Sequence, residues 1–238
     1  MVSKKKTLGI SHTELNDIKP ITDNQKEVFA SYQKGQNLFL YGVAGTGKTF
    51  VALYNALKDV LDPKSPRERV YIVRSLLPTR DIGFLPGDEE DKSYLYQVPY
   101  QNMVRFMFKQ PDERSFEQLY NNLRNQGTID FLSTSFLRGI TIDNGVIIVD
   151  ECQNLNFHEL DTIMTRVGQD TRIVFAGDIQ QTDLTKTNDR NGILDFVNIM
   201  QQMKEVDCIE FNLGDIVRSG MLKSYLIEKI KLGLHYEQ

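Results

Sequence analysis

Gly42-Val43-Ala44-Gly45-Thr46-Gly47-Lys48-Thr49 carries the pattern Gly-x-x-x-x-Gly-Lys-Ser/Thr at every fixed position. Asn37-Leu38-Phe39-Leu40-Tyr41 before it is apolar and aromatic, as a buried parallel strand is. Phe50-Val51-Ala52-Leu53-Tyr54-Asn55-Ala56-Leu57 after it places apolar residues at helical spacing. Strand, glycine loop and helix together make a phosphate cradle. The glycines permit backbone conformations closed to other residues, so successive N–H groups can point at phosphate oxygens. In such a loop Lys48 reaches the β- and γ-phosphates, and the Thr49 hydroxyl ligates Mg²⁺. The segment therefore predicts binding of a nucleoside triphosphate.

Outward from this loop, the chain alternates strands and helices. Thr22 is expected to N-cap a helix over 23–32 that stops at Gly35, and a second helix covers 48–61. Strands are expected at 37–41, 69–74, 129–132, 145–149 and 171–176 and near 208–211, with further helices over 93–109, 112–125, 192–204 and 219–232. Residues 75–91 hold Pro78, Gly83, Pro86 and Gly87 and end in four acids, which predicts a long loop. The fold class is α/β, a mostly parallel sheet with helices on both faces. Residues 1–20 read as a flexible or extended lead-in and 21–238 as a single domain.

The composition excludes several classes. Two cysteines, Cys152 and Cys208, are too few for a disulfide framework and form no Cys-x-x-Cys pair. His12, His158 and His235 show no ligand spacing and read as surface or loop residues. No stretch has the length and apolarity of a membrane span, and the basic N-terminus lacks the apolar core of a signal peptide. A cytoplasmic protein is expected. The net charge of −4 gives no global signal for nucleic acid.

After the apolar strand comes Asp150-Glu151-Cys152-Gln153-Asn154, which sets two carboxylates at the carboxyl edge of the sheet, where α/β proteins bind ligands. Asp150 is expected to hold hydrated Mg²⁺, and Glu151 to polarise the attacking water. Gly177-Asp178-Ile179-Gln180-Gln181-Thr182-Asp183 follows the next strand, where a polar amide can sense the γ-phosphate.

These three segments together resemble the PhoH-like ATPases, relatives of the N-terminal motor domain of superfamily 1 helicases. Gly83-Phe84-Leu85-Pro86-Gly87-Asp88 and Phe136-Leu137-Arg138-Gly139-Ile140-Thr141 resemble two further signatures of that family, and the likeness covers roughly 20–230. It implies a RecA-like P-loop NTPase fold. It also implies that Gln25 reads the adenine edge, where an amide offers donor and acceptor together, and that Gln181 senses the γ-phosphate. Arg218, in Asp215-Ile216-Val217-Arg218-Ser219, matches the family's Val-Arg, although Ser219-Gly220 stands where the family often has His-Pro. Cys152 replaces a more usual alanine and reads as a packing residue. The short N-terminus resembles a minimal, phage-encoded member.

The function this implies is an Mg²⁺-dependent ATPase that remodels RNA or single-stranded DNA. Arg74, Arg80, Arg138 and the hydroxyls of Ser133, Thr134 and Ser135, with Phe84 and Tyr94 for stacking, are candidate contacts. The alternative is a nucleotide-dependent switch that binds a protein partner without unwinding. A lone motor domain further predicts a homo-oligomer, a ring in which Arg218 serves its own subunit's ATP or a neighbour's.

Overall fold

The computed structural model describes residues 9–74, 89–134, 137, 139–179 and 187–232, the side chains of 89–95, 187–191 and 230 excepted. Six strands, β1 (Asn37–Gly42), β2 (Arg69–Arg74), β3 (Ile129–Leu132), β4 (Gly145–Asp150), β5 (Arg172–Gly177) and β6 (Val206–Phe211), form one sheet. Its order is β3-β2-β4-β5-β1-β6, and every pairing is parallel. All six expected strands are present. The helices are α1 (Asp23–Gln33), α2 (Lys48–Val60), α3 (Glu89–Met107), α4 (Glu113–Asn125), α5 (Phe157–Met164), α6 (Thr187–Gln202) and α7 (Gly220–Lys231).

Strand side chains alternate between two cores, as the period of two requires. Leu38, Leu40, Val146, Ile148 and Val174 face the core built with α1, α2, α3 and α4. Phe39, Ile147, Val149, Ile173 and Phe175 face the other, built with α5 and α6. The central strands are buried on both faces, hence their unbroken apolar runs. Each fully buried Leu, Ile or Phe stabilises the fold by about 2 kcal/mol. A charge at Ile148 would oppose this directly.

The order of the strands positions the site. The chain leaves β1, crosses through α2 and returns in β2, three places along the sheet. β5 and β4 fill the gap beneath α2, which packs on both. Their carboxyl ends therefore stand next to the loop after β1. Register aligns Leu40, Ala176, Asp150 and Arg74 in one row across β1, β5, β4 and β2.

Several boundaries differ from expectation. Helix α3 begins at Glu89, so the end of the expected 75–91 loop is helical, while 75–88, including the signature at 83–88, lies outside the described residues. Helix α6 begins earlier than expected, at Thr187. Helix α5 was missed, although Asn156 and Glu159 form a capping box at its start, a signal present in the sequence. Residues 9–20 are docked rather than loose. Ile10 and Leu15 are buried, Leu15 bridges to Phe108, and the Tyr54 hydroxyl donates to the Asn16 carbonyl at 2.9 Å.

Candidate nucleotide site

Gly42 ends β1 at φ +109, and a Cβ there would collide with the Phe211 carbonyl of the neighbouring strand, so only glycine fits. Gly47 caps α2 in the left-handed region at φ 85 and supplies no side-chain cap. As a result the N–H groups of Ala44 through Phe50 donate to no acceptor among the described residues; the ladder of α2 begins with Val51 N–H on the Gly47 carbonyl. A run of unpaired donors at a helix N-terminus is an anion site.

Lys48 is buried, with its ammonium folded into the loop. It donates to the carbonyls of Gly42 and Val43, both at 2.8 Å. Burial pushes its pKa below the ordinary lysine value, while Asp178, Glu151 and Asp150 pull the other way. Thr46 closes the loop on itself, its hydroxyl donating to the Val43 carbonyl at 2.9 Å.

Asp150 lies on the same side of β4 as Ile148, hence beneath α2. The Thr49 hydroxyl donates to its Oδ1 at 2.6 Å and the Tyr100 hydroxyl to its Oδ2 at 2.6 Å. Burial raises the Asp150 pKa and the Glu151 charge adds to this; Thr49, Tyr100 and Arg74 oppose it. Thr49 spends its one O–H on a hydrogen bond to the carboxylate, which leaves its oxygen lone pairs free. A hydroxyl oxygen beside a carboxylate, next to an anion cradle, is a donor set that suits Mg²⁺.

Glu151 adopts φ 51 and ψ 42, a left-handed conformation that costs a side-chain-bearing residue about 1 kcal/mol. Its Oε2 accepts from Gln153 Nε2 at 2.6 Å, and Gln153 Oε1 accepts from the Asp178 N–H at 3.0 Å. Gly177 is required for this approach, since a Cβ there would lie 2.5 Å from Gln153 Oε1 and 2.7 Å from Cys152 Sγ. Cys152 is wholly buried, in keeping with a packing role.

Gln25 is 4% exposed. Its Nε2 donates to the Thr46 carbonyl at 3.0 Å and its Oε1 accepts from the Ile21 N–H at 3.0 Å. It braces α1 against the loop and keeps one donor and one lone pair in reserve. On the outer side of the loop, the Val217 N–H donates to the Gly45 carbonyl at 3.1 Å. The Arg218 stem lies over Gly45, where a Cβ would be 3.2 Å from Arg218 Cγ. Arg218 is exposed, and no hydrogen bond or ion pair joins it to another described residue. Asp215 bonds Asn24 and the Asn212 N–H instead, so it is not its partner.

The structure thus gathers Gln25, the loop 42–49, Asp150, Glu151 and Arg218 around one edge of the sheet. Gln181 lies outside the described residues. So do Arg80, Phe84, Ser135 and Arg138, and the Tyr94 side chain. Thr134 bonds Glu159, and Arg74 is committed to the site itself, facing Tyr100, Asp150 and Glu151. Sequence reasoning missed Tyr100 entirely and assigned Gln153 no role. Among the described residues there is no His/Cys/Asp/Glu cluster of metal-binding type and no helix long and apolar enough to cross a membrane.

The chain resembles known proteins. The family model "PhoH-like protein" matches residues 17–229. Protein PhoH2 of Bacillus subtilis is 36% identical over 161 residues, covering 66% of this chain and 35% of that protein. Protein PhoH of Escherichia coli K12 is 29% identical over 215 residues, covering 88% of this chain and 58% of its own length. The chain thus spans roughly a third to three fifths of these relatives. Among solved structures, the large terminase of a thermophilic bacteriophage aligns with a TM-score of 0.50 at 12% identity, covering 87% of this chain and 50% of that one. That likeness shows the fold alone, a P-loop NTPase fold. The match of the family model across nearly the whole chain identifies it: the chain belongs to the PhoH-like protein family.

Proposed function

We propose that this chain is an Mg²⁺-dependent ATPase whose nucleotide cycle drives remodelling of RNA or single-stranded DNA. The observation that carries the reading is the loop itself. The N–H groups of Ala44 to Phe50, without an acceptor among the described residues, surround a buried Lys48 whose ammonium donates to loop oxygens. Phosphate oxygens would replace those carbonyls and satisfy both the ammonium and the amides.

When bound, Mg²⁺ would neutralise charge on the β- and γ-phosphates, with Thr49 and Asp150 as the groups that hold it. Lys48 spreads its charge over the same oxygens. Glu151 accepts a proton from water on a carboxylate lone pair that Gln153, bonded to Oε2, leaves open. Gln25 reads the base edge with its spare donor and lone pair, and Gln181 senses the γ-phosphate. Arg218, without a hydrogen-bond partner among the described residues and lying over Gly45, offers a cation to transition-state charge.

The polymer rests on resemblance to helicase-like motors; a homo-oligomeric ring in the cytoplasm completes the proposal. ATP turnover measured with and without Mg²⁺, against single-stranded RNA and DNA polymers, tests the whole reading. Stimulation by a polymer supports the motor. Turnover indifferent to every polymer points instead to the nucleotide-dependent switch.

A further inference from the structure

The Tyr100 hydroxyl sits where an ordinary core residue would have no reason to carry one. Tyr100 lies in the middle of α3 and is 2% exposed. Its ring packs edge-on against Phe131, with centroids 5.5 Å apart. Phenylalanine would fill that space equally well. The added oxygen instead reaches Asp150 Oδ2 at 2.6 Å, fifty residues away along the chain. Behind it stands Arg74, the residue paired with Asp150 across β2 and β4, whose guanidinium faces Tyr100 and Asp150 and lies over the Tyr96 ring, 6.0 Å from its centroid.

We infer that Tyr100, backed by Arg74, is a positioning residue for the Asp150 carboxylate, setting the orientation in which that carboxylate receives hydrated Mg²⁺. The inference rests on the proposed reading of Asp150 as the group that holds the metal. An aspartate carboxylate can turn about its Cβ–Cγ bond. Here Thr49 pins one oxygen and Tyr100 the other, so the plane of the group is set by two hydroxyl donors from different helices. Arg74 sets a positive charge beside the same pair, which favours the ionised carboxylate and with it the charge-assisted bond from Tyr100. Donors of this kind, one bond removed from a metal, alter its affinity about 10–100-fold when removed.

The test is Tyr100→Phe in the full chain, with Mn²⁺ as the probe and electron paramagnetic resonance counting free ion in the presence of ADP. Expected is a loss of Mn²⁺ affinity for the ADP complex of about tenfold or more. ADP affinity in EDTA and the thermal midpoint should stay at the wild-type values. Unchanged Mn²⁺ affinity in folded Tyr100→Phe overturns the inference, as does an equal loss of metal-free ADP affinity, which would mark a general structural role. Should that variant fail to fold, Arg74→Gln carries the test: a severalfold weakening in the same direction is expected, and no weakening overturns it. If wild type binds ADP but adds no Mn²⁺, the reading of Asp150 itself is wrong, and that failure is visible without any variant.

Discussion

Gln153 holds Glu151, its Nε2 donating to the carboxylate at 2.6 Å while its Oε1 takes the Asp178 N–H at 3.0 Å. One buried amide therefore joins the candidate base at the end of β4 to the turn at the end of β5. Gln153→Ala should lower ATP turnover about 10–100-fold, because the base loses its alignment. Nucleotide affinity should be unchanged. Equilibrium binding alongside steady-state turnover separates the two, and normal turnover would show that Glu151 needs no such support.

Gln25 predicts a preference for ATP over GTP. With two of its bonds already spent on Ile21 and Thr46, Gln25→Ala should erode that preference and also loosen the loop, raising KM. Competition between the two nucleotides measures this. Equal use of both by wild type would leave Gln25 as a brace only.

Arg218 lies over its own subunit's Gly45, which predicts action in cis. Arg218→Ala should slow turnover about 10³-fold, the lower end for arginine fingers. Mixing Lys48→Ala with Arg218→Ala subunits should then restore nothing, even in co-assembled oligomers. Recovered activity in the mixture would place the working Arg218 on a neighbour.

Away from the site, Asp59 anchors a buried cluster: Arg67 at 2.6 Å, Ser65 at 2.5 Å, Tyr32 at 3.0 Å and Arg172 at 3.7 Å. Burial pushes the Asp59 carboxyl up, but Arg67, Ser65 and Arg172 outweigh it and hold its pKa below 3.8. A depressed folded-state pKa means that the stabilisation is complete above the unfolded value and is lost as pH falls through the folded one. Asp59→Asn should therefore cost about 3 kcal/mol near neutral pH. The gap from wild type should shrink in acid below that value. Urea midpoints at neutral and acid pH check this, and a gap that widens in acid would contradict it.

How far the site could be read from sequence depends on how local its signals are. Gly42 to Thr49 is contiguous, and its chemistry follows from spacing alone. The Thr22 cap and the six strands are likewise local, in one case a hydroxyl accepting the Gln25 N–H and in the others apolar runs. Asp150 became legible because an apolar strand ends on it. Tyr100 gave no such signal: its meaning comes from α3 packing over the sheet, a contact between residues fifty positions apart. Gln153 stood inside a quoted motif, yet its role depends on Gly177 letting two strand ends close together. The docking of 9–20 was hidden for the same reason, since its partners, Tyr54, Met107 and Phe108, are distant in sequence.

The central claim is ATP hydrolysis at the loop between β1 and α2. Steady-state phosphate release by wild type, Lys48→Ala and Glu151→Gln, each with Mg²⁺ and with EDTA, tests it most directly. Expected are Mg²⁺-dependent turnover in wild type and none in Lys48→Ala. Glu151→Gln should bind ATP as wild type does and turn it over about 10²–10⁴-fold more slowly. Turnover that survives in Lys48→Ala, or that proceeds equally in EDTA, would rule out hydrolysis at this loop.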